Sequence, residues 1–268
     1  MTTLYDAMLE TVRLVGGLKS GTASAAGTAL TLVDTNRYEP DNYYKNGTLF
    51  LHAHTDATLT TRTYFTKVIT DYAQTTGTFT FGGGFGTAIA SGERYSCTNV
   101  HKEAIIQAIN AALTQMGEYT EINETLTVTD NATEYTLPSG VSNVKRIETY
   151  KSASAPYGFN PVWTWHEKGG KIYLPYELTQ TVGNKIRVWY NKFHAEVDTD
   201  EDTILDIYNL KRLAWTAAYM FELSRLEYSG NYNPRENDMF GIFAQQAQRL
   251  AVAFPVSKIE KGSNLARY

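Results

Sequence analysis

The chain has 268 residues, 43% of them hydrophobic, enough for one large core or two to three smaller modules. A net charge of -4, with only 19% charged residues, excludes the basic footprint of a nucleic-acid-binding surface, and the single cysteine, Cys97, excludes an internal disulfide. No apolar run reaches membrane-spanning length and the polar start MTTLYDAMLETV does not read as a signal peptide, so a soluble protein assembled in a reducing compartment is expected.

The first predicted element is a helix, because Leu4, Ala7, Met8, Thr11, Val12 and Val15 recur at helical spacing. Thr3 with Asp6 fits a capping box, and Gly16-Gly17 supplies the stop. From Ser20 the texture changes. SGTASAAGTALTLVDTNRY, GTLFLHAH, TRTYFTKVITDY and TGTFTF alternate as strands between turn residues, and GERYSCT closes the set. A small antiparallel β-module is expected over residues 20–97. NVHKEAIIQAINAALTQMGEY follows as a second amphipathic helix, with Ile105, Ile109, Ala112, Leu113 and Met116 on one face, Asn99 as cap and Gly117 as stop.

A second β-stretch runs over residues 119–196. It includes TLTVTD, TEYTLPSG and VKRIETYK, a hairpin about Gly169-Gly170 in VWTWHEKGGKIYLPY, and NKIRVWYNKF as its last strand. DEDTILDIYNLKRLAWTAAYMFELSRLEY then reads as one long, mostly buried helix with an acidic first turn. The last helix takes Asn233 as cap and Pro234 as its first residue, with Met239, Phe243, Ala247, Leu250 and Phe254 as its stripe. After Pro255 the periodicity ends. The expectation is an α+β fold: a four-helix bundle core (residues 1–19, 98–118 and 197–254), two inserted antiparallel β-modules (20–97 and 119–196) and an extended C-terminal tail (255–268).

No local motif carries strong chemistry. FGGGFGTAI lacks the Lys-Ser/Thr of a P-loop, and Ile89 stands where a dinucleotide fingerprint needs its third glycine, so this loop is expected only to turn the chain. His52, His54 and Asp56 alternate onto one strand face, a possible three-ligand metal set or an exposed polar face; no metal is expected. DTDEDT starts like a calcium loop, but Thr203 and Asn209 stand where Gly and Glu are needed, so it reads as an acidic helix start. Cys97 with His101 lacks a visible third group, and no nucleophile elbow occurs. The aromatics of VWTWH with Tyr157, Phe159 and Tyr173 suit either a sugar-stacking platform or cross-strand packing. No cofactor and no enzymatic activity are expected.

Several stretches carry a resemblance. SAAGTALTLVDTNRYEPDNYYKNGTLFL with VITDYAQTTGTFTF and IASGERY, then HKEAIIQAINAALTQMGEY with TLTVTDNATEYTLPSGVSNVKRIE, and the final two helices with their extended tail, are similar to the head–tail adaptor (connector or neck) proteins of tailed bacteriophages. The resemblance implies a structural virion protein at the head–tail junction, assembled in the host cytoplasm. Such adaptors form a ring, usually of twelve copies, under the portal, extend the DNA channel and dock the tail or next neck ring. The helical bundle would carry the ring contacts. The C-terminal segment would reach the portal, with Lys258, Ile259, Leu265, Arg267 and Tyr268 as anchors. DNA would pass through the lumen without sequence-specific binding, which a net negative charge favours. Deleting the chain after Phe254 is expected to leave the fold intact and abolish docking. The alternative is a glycan-binding tail or tail-tip protein built on the VWTWH aromatics. A carboxylate-based hydrolase is a third reading, for which no acid pair is visible in the sequence.

Overall fold

The computed structural model describes residues 2–52, 65–150, 158–175, 182–229 and 234–256. The fold is α+β, with four helices and several antiparallel sheets among the described residues. Two compact units divide them: the chain up to Met116 together with Ala195–Pro255, and Gly117–His194.

The first unit opens with β1 (Thr2–Thr3) and α1 (Leu4–Val15). The Thr3 hydroxyl accepts from the Asp6 amide, and the Asp6 carboxylate accepts from the Thr3 amide, completing the capping box. Gly16, at φ 95°, ends the helix. Seven strands follow: β2 (Lys19–Thr22), β3 (Ala25–Thr28), β4 (Thr31–Val33), β5 (Thr48–Leu51), β6 (Phe65–Ala73), β7 (Thr78–Phe81) and β8 (Arg94–Thr98). Their order is β2-β8-β5-β6-β7-β4-β3, antiparallel throughout.

The two edges of this sheet, β2 and β3, are separated in the chain only by Ala23 and Ser24. The Ala23 amide donates to Glu93 O beside β8, and the Ser24 amide donates to Val33 O in β4. One bent strand therefore serves both edges, and the sheet closes into a small barrel that leaves no open edge. Leu32, Leu49, Leu51, Ile69, Phe79, Tyr95 and Cys97 fill its interior. Gly77 is required where the chain turns into β7: its φ is +60°, and a Cβ there would lie 2.1 Å from Asp34 O.

α2 (Lys102–Met116) follows the barrel. Its cap is His101, not Asn99: His101 Nδ1 accepts from the Glu103 amide at 3.2 Å, and the Ala104 and Ile105 amides donate to His101 O. After the second unit the chain returns as β16 (Thr203–Ile204), which pairs with β1, and then as α3 (Leu210–Ser229). The expected acidic helix start is corrected here. The helix begins eight residues after Asp202, with the Asn209 carboxamide accepting from the Lys211 and Arg212 amides. The Asp200 and Asp202 carboxylates are engaged by other groups, and Thr203–Ile204 is extended. α3 packs against α1, α2 and α4 (Pro234–Ala253).

The second unit holds two smaller sheets. β9 (Tyr119–Thr127), β11 (Val144–Tyr150), β12 (Phe159–Val162) and β15 (Lys185–Lys192) form one, in the order β12-β11-β15-β9. β10 (Glu134–Thr136), β13 (His166–Lys168) and β14 (Lys171–Tyr173) form the other, in the order β10-β14-β13. Gly169 and Gly170, both at positive φ, make the β13–β14 turn. Tyr135, Leu137, Val144, Ile147, Ile172, Ile186 and Val188 bring the two sheets onto one core.

Candidate functional site

The tail residues Lys258, Ile259, Leu265, Arg267 and Tyr268 lie outside the described residues, which end at Val256. What the structure describes is the helix that leads to them. α4 is held on one side by aromatic contacts to α3: Phe240 against Tyr219 at 4.8 Å and Phe243 against Trp215 at 5.7 Å between ring centroids. Arg212 Nη1 closes its far end, donating to Phe254 O at 2.7 Å. Its other side is bare. Met239 and Ile242 are 41% and 47% exposed, Gln246 and the exposed Arg249 follow on the same face before Ala253, and Val252 and Phe254 are also exposed, so this side mixes apolar and polar groups.

His52 is not placed as a metal ligand among the described residues. It lies just past the end of β5, with Nδ1 2.9 Å from the Tyr5 hydroxyl and Nε2 2.7 Å from Ser96 Oγ. The Tyr5 hydroxyl also donates to Leu51 O at 3.1 Å. The set closes with a neutral ring whose Nδ1–H donates to Tyr5 and whose Nε2 accepts from Ser96. Burial, and then the charges of Arg13 and Arg94, push the imidazole below its usual pKa. His54 and Asp56 lie outside the described residues, among which no group of three or more His, Cys, Asp or Glu is arranged to hold a metal ion.

The acidic DTDEDT segment is a clamp. Asp200 accepts from the Thr66 amide at 2.6 Å, from Thr66 Oγ1 at 2.7 Å and from Lys102 Nζ at 2.8 Å, joining β6 to the start of α2. The backbone carbonyls of Asp200 and Asp202 receive the Tyr5 and Leu4 amides. The Asp202 carboxylate accepts from the Asp198 and Thr199 amides, which hold its pKa down to about 2.

Cys97 and His101 do not come together as a catalytic pair. Cys97 is buried in the barrel and its Sγ donates to Lys19 O, while burial pushes the thiol up to about 12. His101 is exposed at the start of α2. In the glycine-rich loop, the Phe81 and Phe85 amides donate to Leu30 O and Ala29 O, and the Phe85 ring packs edge-on against Phe81 in the barrel core. These amides are committed to the chain's own carbonyls.

Two clusters escape sequence reasoning because their members are far apart in the chain. At one end of the barrel the Tyr95 hydroxyl donates to Asp34 at 2.7 Å and accepts from Arg37 Nε at 2.8 Å, while Lys19 Nζ sits 2.9 Å from Glu39. Burial favours the neutral Glu39 acid, but Lys19 and Tyr44 outweigh it and bring its pKa to about 2. The second cluster surrounds Arg212, a cation in the first turn of α3.

In the second unit the VWTWH aromatics divide. Val162 is buried and Trp165 packs against the core, whereas Trp163 is 66% exposed. His166 stacks on Tyr173 across the β13–β14 pair, at 4.6 Å and 3° between ring planes. Trp165, His166, Tyr173 and Pro175 line an open pocket of about 370 Å³. Phe159 packs against Tyr150 and under the Arg187 guanidinium, while Tyr157 lies outside the described residues.

No family model and no curated protein matches this chain. No helix among the described residues is long and apolar enough to cross a membrane.

Proposed function

We propose that this chain is a structural virion protein: a head–tail adaptor that forms a ring under a portal, extends the DNA channel and docks the tail or next neck ring. In this reading α1 to α4 act as a four-helix bundle core, the barrel and the second unit are its two β-elaborations, and the C-terminal segment reaches the portal. The partners are the portal ring, tail or neck proteins and further copies of the chain, twelve in a ring. DNA slides through the lumen unbound. The protein catalyses no reaction, needs no cofactor, and resides at the head–tail junction after assembly in the host cytoplasm. The observation that carries the proposal is α4, a helix packed on α3 along one side whose other side exposes Met239 and Ile242 next to polar residues such as Arg249. A mixed face with exposed apolar anchors suits contact with the next copy in a ring. The resemblance of the sequence to head–tail adaptors supports the same reading.

The test is negative-stain microscopy of the full chain mixed with its cognate portal ring. Decorated rings are expected. Bare portal rings at concentrations well above those of assembly would overturn the reading.

A second reading, a glycan-binding tail or tail-tip protein, is favoured by the exposure of Trp163 and the stacked His166–Tyr173 pair beside an open pocket. Glycan-array binding by the full chain, lost in Trp163→Ala, would transfer the proposal to that class.

A further inference from the structure

Arg212 presents an unusual balance. It is 9% exposed, and its Nη1 donates to Phe254 O at 2.7 Å. Its Nε is buried without a hydrogen-bond partner, and no carboxylate pairs with it among the described residues. Buried cations in proteins are normally paired, because an uncompensated charge in a poorly solvated place is costly. Burial accordingly lowers the pKa of this guanidinium, opposed only by Tyr208. The guanidinium borders a pocket of about 190 Å³ between the end of α2, α3 and α4.

The pocket has the chemistry of a ligand site. Met116, Ala244, Ala247 and Ala251 give it apolar walls, and Gln115 and Gln248 add amide groups. Among the described residues, Arg212 is the only charged side chain lining it. One positive charge calls for one negative charge, and a guanidinium pairs well with a carboxylate. The start of α3 adds its own positive end to the attraction. The apolar walls suit a short methylene stem, and the volume is too small for a nucleotide.

We propose that the Arg212 pocket is a binding site for a carboxylate on a short alkyl stem. The ligand is either a free small acid or an acidic side chain inserted by a second copy of this chain; both present the same carboxylate to the guanidinium. The proposal does not depend on the adaptor reading, since a ring that never forms would leave the pocket unchanged.

Butyrate is the probe. Titrating it into the full chain at fixed ionic strength, with chloride as the balancing anion, is expected to give saturable shifts in the amide spectrum near residues 212–216 and 244–251. Arg212→Gln should weaken binding about tenfold or more, because the charge that pairs with the acid is gone. Ala247→Leu, which fills the pocket and keeps the guanidinium, should weaken it as well and guards against a misfolded Arg212 variant. Sedimentation of the same samples separates the two sources. Butyrate that disperses a self-associated chain identifies an acidic side chain of a second copy as the occupant; butyrate that binds without altering association identifies a free acid. Equal shifts with chloride, or butyrate binding unchanged in both variants, would overturn the proposal.

Discussion

The Tyr5 hydroxyl lies 2.9 Å from Nδ1 of His52, and through that contact α1 is fastened to the wall of the barrel. The histidine reaches on to Ser96 in β8 at 2.7 Å, so one imidazole at the end of β5 bridges a helix and a second strand. The bridge works with a neutral ring. A protonated ring would turn Nε2 from an acceptor into a donor and place a charge beside Arg13 and Arg94.

A pH dependence follows. The folded-state pKa of His52 is depressed below its ordinary value of 6.5, so the unfolded chain binds more protons at mildly acid pH. The stabilisation is complete above about 6.5 and is lost as pH falls through the folded-state pKa. Denaturation in urea at pH 7.5 and 5.5 should show the chain weakened at the lower value. His52→Gln should cost about 1 kcal/mol at pH 7.5 through its lost hydrogen bonds and should show a smaller loss on acidification. An identical acid response in the two proteins would show that this histidine is not the sensor.

Asp200 is the second tie within the first unit. Its carboxylate receives Thr66 and Lys102, and its side chain is only 9% exposed. Asp200→Ala leaves the Lys102 ammonium and the Thr66 amide without their acceptor and should destabilise the protein by about 3 kcal/mol. The exposed neighbour Glu201 offers the contrast, with Glu201→Ala expected within about 0.5 kcal/mol of the parent. Similar denaturation midpoints for the two variants would mean that the clamp carries no weight.

At the barrel end, Tyr95→Phe removes one oxygen and keeps the ring. The hydroxyl that Asp34 accepts from and that Arg37 donates to disappears, leaving two buried groups of opposite charge 3.6 Å apart. Those charges offset part of the loss, so a destabilisation of about 1–2 kcal/mol is expected rather than the larger cost of an orphaned ion. Asp34→Asn in the same background should add to it, because Arg37 would then lose one of its two carboxylate partners, Glu39 remaining at 3.7 Å. A Tyr95→Phe protein as stable as the parent would place the weight of this network elsewhere.

These ties explain which parts of the fold the sequence discloses. The capping box of Thr3 and Asp6, the stop at Gly16, the Gly169-Gly170 turn and Pro234 at the start of α4 act within a few residues of themselves, and each stands where the pattern places it. The start of α3 is misplaced by the pattern because the partner of Asp200, Thr66, is 134 residues away. An acidic run before an apolar helix looks the same whether it caps that helix or grips a distant strand. His101 displaces Asn99 as the α2 cap for a local reason: its ring nitrogen reaches the Glu103 amide, a role the side chain can fill but rarely signals. Barrel closure is non-local in the same way, since it depends on Ala23 donating beside β8 and Ser24 donating to β4. Arg212 is hidden for another reason. Nothing in LKRLAWTAAY marks this one cation out, and only the packing of α4 over it reveals burial.

The remaining prediction separates the roles of α4 and of the chain beyond it. A cut after Phe254 would turn the Phe254 carbonyl, which accepts from Arg212, into a terminal carboxylate, and would so disturb the helix end itself. A cut after Val256 leaves that carbonyl intact and is the cleaner test of the tail. With the adaptor reading, the shortened chain should unfold at the same urea midpoint as the full chain and fail to decorate portal rings. Ile242→Asp should behave differently. It places a charge at an exposed apolar position of α4 and leaves both ring contacts to α3 in place, so the fold should hold to within about 0.5 kcal/mol. Contacts between neighbouring copies should fail, because a carboxylate would have to be desolvated at each junction of the ring. Sedimentation velocity with portal rings then has distinct outcomes: partial decoration by Ile242→Asp, whose tails still anchor single copies, and none by the cut chain. Full, closed rings from Ile242→Asp would remove the exposed face of α4 from the ring contacts, and with it the observation on which the proposed function rests.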